Sequence, residues 1–276
     1  MGQARQTTFP MRQLGRSLRR LRTQAGLTQE QAGERLRFSD KKMSRIEQGQ
    51  LPSFHELRAM LDVYGLPVSD WQPYVDLRDR ADEKGWWHAY GVEDRGFVSV
   101  EAEASMIREF QLGHIPGLLQ TERHMRAVFE SGRKPLSGRM LENQVKVRLR
   151  RQQRLFEEPL LRLHAIIDET VLRRQMCAPE QLRQIVSRAE LSNVTVQVIP
   201  MAVGPHDGLY GNLLIASFPD QDEPDIAYVE EGFASFHAYK SDEVLAARLL
   251  FDHLANVALD EDDSRTLIER VAAEFS

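Results

Sequence analysis

The chain has 276 residues, 42% of them hydrophobic and 28% charged, which is long enough for two globular domains and too apolar for a disordered tail. Its single cysteine, Cys177, excludes an intramolecular disulfide and suits a reducing compartment. No apolar run approaches the ~20 residues of a membrane helix, so a cytoplasmic protein without membrane association is expected. Charge is unevenly placed: the total is −5, but residues 1–50 carry 11 Lys/Arg against 4 Asp/Glu, net +7, which leaves −12 for the remainder. The basic segment is the one suited to the phosphates of nucleic acid.

In chain order, MGQARQTTFP lacks an apolar signal core and reads as a flexible arm over residues 1–10, with Arg5, and Arg12 just beyond it, available to phosphates. Leu14, Leu18, Leu21 and Ala25 then recur at helical spacing, which turns Arg12, Arg16, Arg19 and Arg20 outward. Gly26-Leu27 breaks that helix. Thr28 is an N-cap residue for a second helix, and Gln29 sits at its exposed start. Ser39 is the N-cap candidate of a third, in which Met43 and Ile46, three apart, share an inward face. Asp40, Lys41, Ser44 and Arg45 are left outside, and Gly49 stands where a helix ends in a C′ glycine. Two short helices joined by a tight turn, the second opening with polar and cationic side chains, is the layout of a helix-turn-helix reader, whose first turns meet base edges in a major groove. Ser53 with Glu56 forms a capping-box pair before Leu57, Met60, Leu61 and Tyr64, with Gly65 as the stop. Ser69 with Gln72 repeats the signature and predicts a further helix to about Lys84, with Trp71, Tyr74 and Val75 as its apolar face. The expectation is an all-helical DNA-binding domain over residues 11–84.

At TQEQAGERLRFSDKKMSRIEQG, residues 28–49, the sequence resembles the repressor-like (XRE-type) helix-turn-helix family, in which a TQ start, a recognition helix ending S-R-I-E and a following glycine recur at this spacing. The resemblance implies a lambda-repressor-like fold, a phosphate or base-edge contact from Gln29, base contacts from Asp40, Lys41, Ser44 and Arg45, and an Arg22–Glu47 pair across the helix packing. The DNA-contact candidates are therefore Thr28, Gln29, Ser39, Asp40, Lys41, Lys42, Ser44 and Arg45. Two departures from the family stand out: Gly33, where a small residue lets the helices cross, costs helix propensity of roughly 1 kcal/mol relative to alanine. Arg37 occupies the turn position where glycine is common.

A second domain is expected over residues 85–276, opening on GWWHAYG, where Trp86 and Trp87 read as core anchors. Residues 160–168, 194–200, 212–218, 225–230 and 235–239 read as strands, the last three as an antiparallel meander, and helices are expected at 121–131, 137–156, 179–191, 242–257 and 260–275. Strands clustered late between helices argue α+β with an antiparallel sheet. Enzyme signatures are missing: no phosphate loop ending GK[ST], no paired-histidine metal helix, no CxxC and no GxSxG, so no catalytic residue, metal or cofactor is assigned. His206-Asp207 lies among Gly204, Pro205, Gly208 and Gly211 and reads as a long turn. Asp168-Glu169 after a strand reads as helix N-cap chemistry, and Lys146, Arg148, Arg150, Arg151 and Arg154 as a solvated helix face beside Glu157 and Glu158. Aromatic side chains among turn residues make His206, Tyr210, Phe233, Phe236 and Tyr239 the candidate partner or ligand surface.

The strings EAEASMIREF, IPGLLQT, IDETVLRR and LSNVTVQVIP resemble the C-terminal domain of actinobacterial regulators of the WhiJ-like group. That resemblance implies a developmental or antitoxin-like transcriptional regulator, often encoded beside a small acidic partner protein, with a C-terminal domain of unknown function. The expected function is sequence-specific binding to double-stranded DNA by a homodimer on an inverted-repeat operator, controlled through the partner. A small-molecule-sensing repressor and a cryptic C-terminal enzyme are the alternatives.

Overall fold

A computed structural model of the chain describes residues 8–92, 97–174, 177–220, 223–230 and 235–275. The chain divides into an N-terminal unit that ends at His88 and takes in residues 97–100, and a C-terminal unit that holds 101–275.

The N-terminal unit is helical: α1 (Phe9–Gln24), α2 (Gln29–Leu36), α3 (Asp40–Glu47), α4 (Phe54–Val63) and α5 (Gln72–Asp82). Pro10 sits in the first turn of α1, where its missing N–H costs nothing, and Phe9 is buried, so the helix begins two residues before Met11. The first seven residues of the expected arm, Arg5 among them, lie outside the described residues. The leucine stripe meets the inward face of α3 in one core that includes Leu14, Leu18, Met43, Ile46, Leu57 and Leu61, all at most 1% exposed. Each such side chain contributes about 1.5–3 kcal/mol through burial. Caps fix the helix starts as the sequence predicts: Thr28 Oγ1 accepts from the Gln31 amide at 3.1 Å, Ser39 Oγ from the Lys42 amide at 3.3 Å and Ser53 Oγ from the Glu56 amide at 3.3 Å. The Ser69 cap does not form. Its hydroxyl donates to Asp70, and α5 starts three residues later with Pro73 in its first turn.

Gly15 makes the close approach of α1 to α3 possible, since a Cβ there would stand 2.6 Å from the Ile46 carbonyl oxygen and 2.8 Å from that of Glu47. The turn between α2 and α3 is closed by Arg37 in the left-handed region, φ 56° and ψ 37°, where its amide reaches back to the Glu34 and Gly33 carbonyls. Gly33 fits the same turn because a Cβ on it would crowd the Phe38 carbonyl oxygen at 3.0 Å.

In the rest of the chain the elements are α6 (Phe97–Glu103), β1 (Met106–Gln111), α7 (Glu122–Ser131), α8 (Gly138–Gln152), β2 (Arg162–Asp168), α9 (Glu169–Leu172), α10 (Pro179–Ala189), β3 (Val194–Ile199), β4 (Leu213–Ser217), β5 (Ile226–Glu230), β6 (Ser235–Ala238), α11 (Ser241–Val257) and α12 (Glu261–Glu274). The strands form one sheet in the order β3-β2-β1-β4-β5-β6. β4, β5 and β6 are the expected antiparallel meander. The sheet as a whole corrects the expectation of an antiparallel one: β1, β2 and β3 run parallel, and the direction changes where β1 meets β4. The reason is β1 itself, a strand the sequence did not announce because MIREFQ carries charge at Arg108 and Glu109 in place of an apolar alternation. One face of the sheet packs Phe110, Ile166, Ile199 and Ile215 against Phe251 and Leu254 of α11.

The turn at Arg37 yields a stability prediction. A non-glycine residue in the left-handed region carries about 1–2 kcal/mol of strain, partly offset by the extra unfolded-state entropy that glycine brings. Arg37→Gly is expected to stabilise the full chain by about 0.5–1 kcal/mol in urea unfolding of the N-terminal transition. A loss of stability would show that the exposed Arg37 side chain holds the turn through contacts of its own.

Candidate nucleic-acid interface

The recognition helix is held from behind by a charge cluster. Arg22, on the inner side of α1, donates from Nε to Glu47 Oε1 at 2.6 Å and from Nη2 to Glu47 Oε2 at 3.1 Å, while its Nη1 donates to the Leu27 carbonyl at 2.6 Å. Both residues are 8% exposed. The hydrogen bond from its guanidinium to Glu47 raises the Arg22 pKa above the ordinary value against the opposing effect of burial. The Tyr64 hydroxyl, buried and near both charges, is pushed up by burial. Gln29 Nε2 donates to the same Glu47 Oε2 at 2.7 Å, so one carboxylate ties the C-terminal end of α3 to α1 and to the first residue of α2.

In front of that cluster, Gln29, Asp40, Lys41, Ser44 and Arg45 line one open hollow of about 510 Å³. Asp40, Lys41 and Arg45 are exposed, Gln29 and Ser44 half-buried. Arg45 Nε donates to the Lys41 carbonyl at 3.2 Å and Gln48 Nε2 to Ser44 Oγ at 3.1 Å, which leaves the outer guanidinium nitrogens of Arg45 pointing away from the helix. A planar cation, an ammonium, a carboxylate and a hydroxyl on the first two turns of one helix match the donor and acceptor code of a major groove.

Thr28 and Ser39 use their hydroxyls as caps, at the edge of this surface and not within the hollow. Lys42 is placed elsewhere. Its ammonium forms an ion pair with Glu56 and lies 4.1 Å from the centre of the Phe38 ring, so it serves the packing of α3 on α4. That ammonium holds the Glu56 carboxyl below the usual range, so the stability this pair contributes is present above the ordinary glutamate pKa and is lost as pH falls through the depressed value.

Two family models match the chain. Residues 13–71 match a helix-turn-helix domain, and residues 94–270 match a family described as a domain of unknown function, DUF5753. The chain belongs to the DUF5753 family. No curated protein matches it. The helix-turn-helix match points to DNA binding and to a transcriptional regulator, and it covers the cluster and the hollow described above.

The DUF5753 domain rearranges several residues singled out in the sequence. His206 is not part of an exposed surface: its side chain is 4% exposed, with Nε2 3.4 Å from Asp168 Oδ2 and the ring edge-on to Phe110. Gly208 allows that packing, since a Cβ on it would stand 2.6 Å from the Phe110 ring. Asp207 points away toward His253 at 3.8 Å, so the neighbours in sequence do not form a dyad. Asp168 caps α9 through the Thr170 amide at 2.9 Å, as the sequence predicts. Tyr210 is 91% exposed, and Phe236 and Tyr239 are exposed as well. Phe233 lies outside the described residues.

The arginine face of α8 is corrected too. Arg151 forms a two-pronged pair with buried Glu101 at 2.6 and 2.7 Å, and Arg154 donates to the carbonyls of Glu101, Ala102 and Ala104, closing the C-terminal end of α6. Guanidinium groups that satisfy helix-end carbonyls belong inside the domain and not on a solvated face.

The Arg22–Glu47 pair is expected to behave as one unit. Truncating either residue alone leaves a buried charge without its partner, a loss of about 3–5 kcal/mol. The double variant Arg22→Met with Glu47→Leu should lose clearly less than the sum of the two single variants in chemical unfolding. Strict additivity would mean that the two side chains do not act on each other.

Proposed function

We propose that this chain is a sequence-specific, non-enzymatic regulator of transcription that lays α3 in the major groove of double-stranded DNA. The observation that carries this reading is the hollow of Gln29, Asp40, Lys41, Ser44 and Arg45 in front of the Arg22–Glu47 cluster. Arg45 suits a guanine edge, Asp40 a cytosine amino group, Ser44 either partner of several base pairs, and Lys41 a guanine or a phosphate. Gln29, at the lip, suits a phosphate. The +7 charge of residues 1–50 supplies attraction that is independent of sequence.

One such helix spans only a few base pairs, so the reading extends to a homodimer on two inverted half-sites about one helical turn, 34–36 Å, or a multiple of it apart. In this reading the protein acts in the cytoplasm and belongs with the antitoxin-like regulators. Its C-terminal domain is controlled by a small acidic protein partner that meets the exposed aromatic residues Tyr210, Phe236 and Tyr239. Control by a small molecule is the second reading, favoured by the unpaired buried charges of the same domain.

Arg45→Ala is expected to lose on the order of 1–3 kcal/mol on the specific site and to relax preference at one base position, with a much smaller loss on random duplex. Fluorescence anisotropy on both duplexes at matched salt measures the difference. Equal losses on the two would place Arg45 on the phosphates and remove it from base reading.

A further inference from the structure

Glu109 sits on β1, a central strand, with Ala165 of β2 on one side of it and Leu214 of β4 on the other, and it is 5% exposed. It alternates with Phe110, so it lies on the sheet face away from the α11 core; Tyr228 and His237 continue the same row across β5 and β6. Other buried acids of this domain are paired: Glu101 with Arg151 at 2.6 Å, Glu169 with Arg173 at 2.8 Å and Asp225 with Arg248 Nε at 2.8 Å. Glu109 has no ion pair. It accepts one long hydrogen bond, from Gln111 Nε2 at 3.4 Å.

Its counterpart is Arg148 of α8, which also has no ion pair. Nη1 donates to Gln120 Oε1 at 2.6 Å, the guanidinium lies 4.5 Å from the centre of the Phe129 ring, and Nε is shielded from solvent without a hydrogen-bond partner. Gly117 leaves that edge uncovered, since even an added Cβ would stand 3.9 Å from Nε. Burial pushes the Glu109 carboxyl up to about 7 and the Arg148 guanidinium down to about 10, and each group feels the charge of the other. Arg148 also feels Glu230, and both act on His114; Glu230 and His114 are exposed, so the charged cluster runs from the surface to Glu109.

Two opposite charges taken out of water, close enough to interact and yet unpaired, are a standing cost to the fold. Such a cost is retained where a ligand completes the arrangement. We propose that the space between the Glu109 row of the sheet and α8 binds a small zwitterion, its ammonium on Glu109 and its carboxylate on Arg148; a free α-amino acid is the simplest such molecule. A guanidinium matches a carboxylate in shape as well as charge, and Phe129 holds its plane in place.

The full chain, titrated at pH 7 by calorimetry with each of the twenty common amino acids, is expected to bind at least one with Kd of about 1 mM or tighter. Acetate and ethylammonium, each with half of the chemistry, should bind at least about tenfold more weakly. Arg148→Gln and Glu109→Gln should each weaken the amino acid at least about tenfold, while Lys146→Gln on the exposed side of α8 leaves it unchanged. Without ligand, Glu109→Gln is expected to raise the melting temperature, since it removes a buried charge that has no partner. Binding by none of the twenty, or undiminished binding in either glutamine variant, overturns the proposal; so does a lowered melting temperature in ligand-free Glu109→Gln. The titration contains no DNA, so its failure would leave the reading of α3 as a DNA reader untouched.

Discussion

The buried pair between Arg22 and Glu47 is the constraint on which the reading surface depends. Glu47 closes α3, Arg22 belongs to α1, and the shared carboxylate also takes the amide of Gln29 at the start of α2. Three helices are therefore fixed at one point directly behind the hollow. Buried ion pairs are weak evidence of net stability because desolvation offsets much of their attraction. Their value here is positional: with Gly15 letting α1 sit against the end of α3, the pair sets the angle at which Asp40, Lys41, Ser44 and Arg45 face outward. Hydrophobic burial of Leu14, Leu18, Met43 and Ile46 supplies the stability that the pair does not.

The C-terminal domain solves a different problem. Its sheet turns from parallel to antiparallel at β1, and the two faces of that strand are unlike: Phe110 enters an apolar core, and Glu109 enters a polar interior lined by arginines of α8. Arg151 and Arg154 are fully used in holding Glu101 and the end of α6. Arg148 and Glu109 are not used in this way, and that contrast separates structural charge from charge held in reserve. A domain that stabilises some buried charges and leaves others incomplete is suited to respond to a ligand.

The N-terminal unit was legible because its signals are local. Thr28, Ser39 and Ser53 cap through their own side chains, and Met43 and Ile46 face inward because they are three apart. The Arg22–Glu47 pair came from resemblance, since no spacing rule links residues 25 apart. Gly15 carried no signal: a glycine inside a leucine stripe looks like a weak helix position until the Ile46 carbonyl is placed against it. Lys42 looked like its neighbour Lys41 because both are cations at the start of one helix, and only the position of Glu56 on another helix distinguishes them. In the second domain the meander and the helices were readable from periodicity. β1 was not, because its inward position is a glutamate, and the arginines of α8 looked solvated because their acceptors lie about fifty residues away on α6. The residues that local rules misread in this domain are the ones that carry its unusual chemistry.

The central claim, that α3 reads base sequence from a surface fixed by the Arg22–Glu47 cluster, is tested most directly by selecting bound molecules from a pool of random-sequence duplexes with the full chain and sequencing them. The account predicts enrichment of one short half-site, repeated in inverted orientation, and loss of that enrichment when Lys41 and Arg45 are both replaced by alanine. Retention of every sequence alike, with affinity set by salt concentration alone, would contradict it.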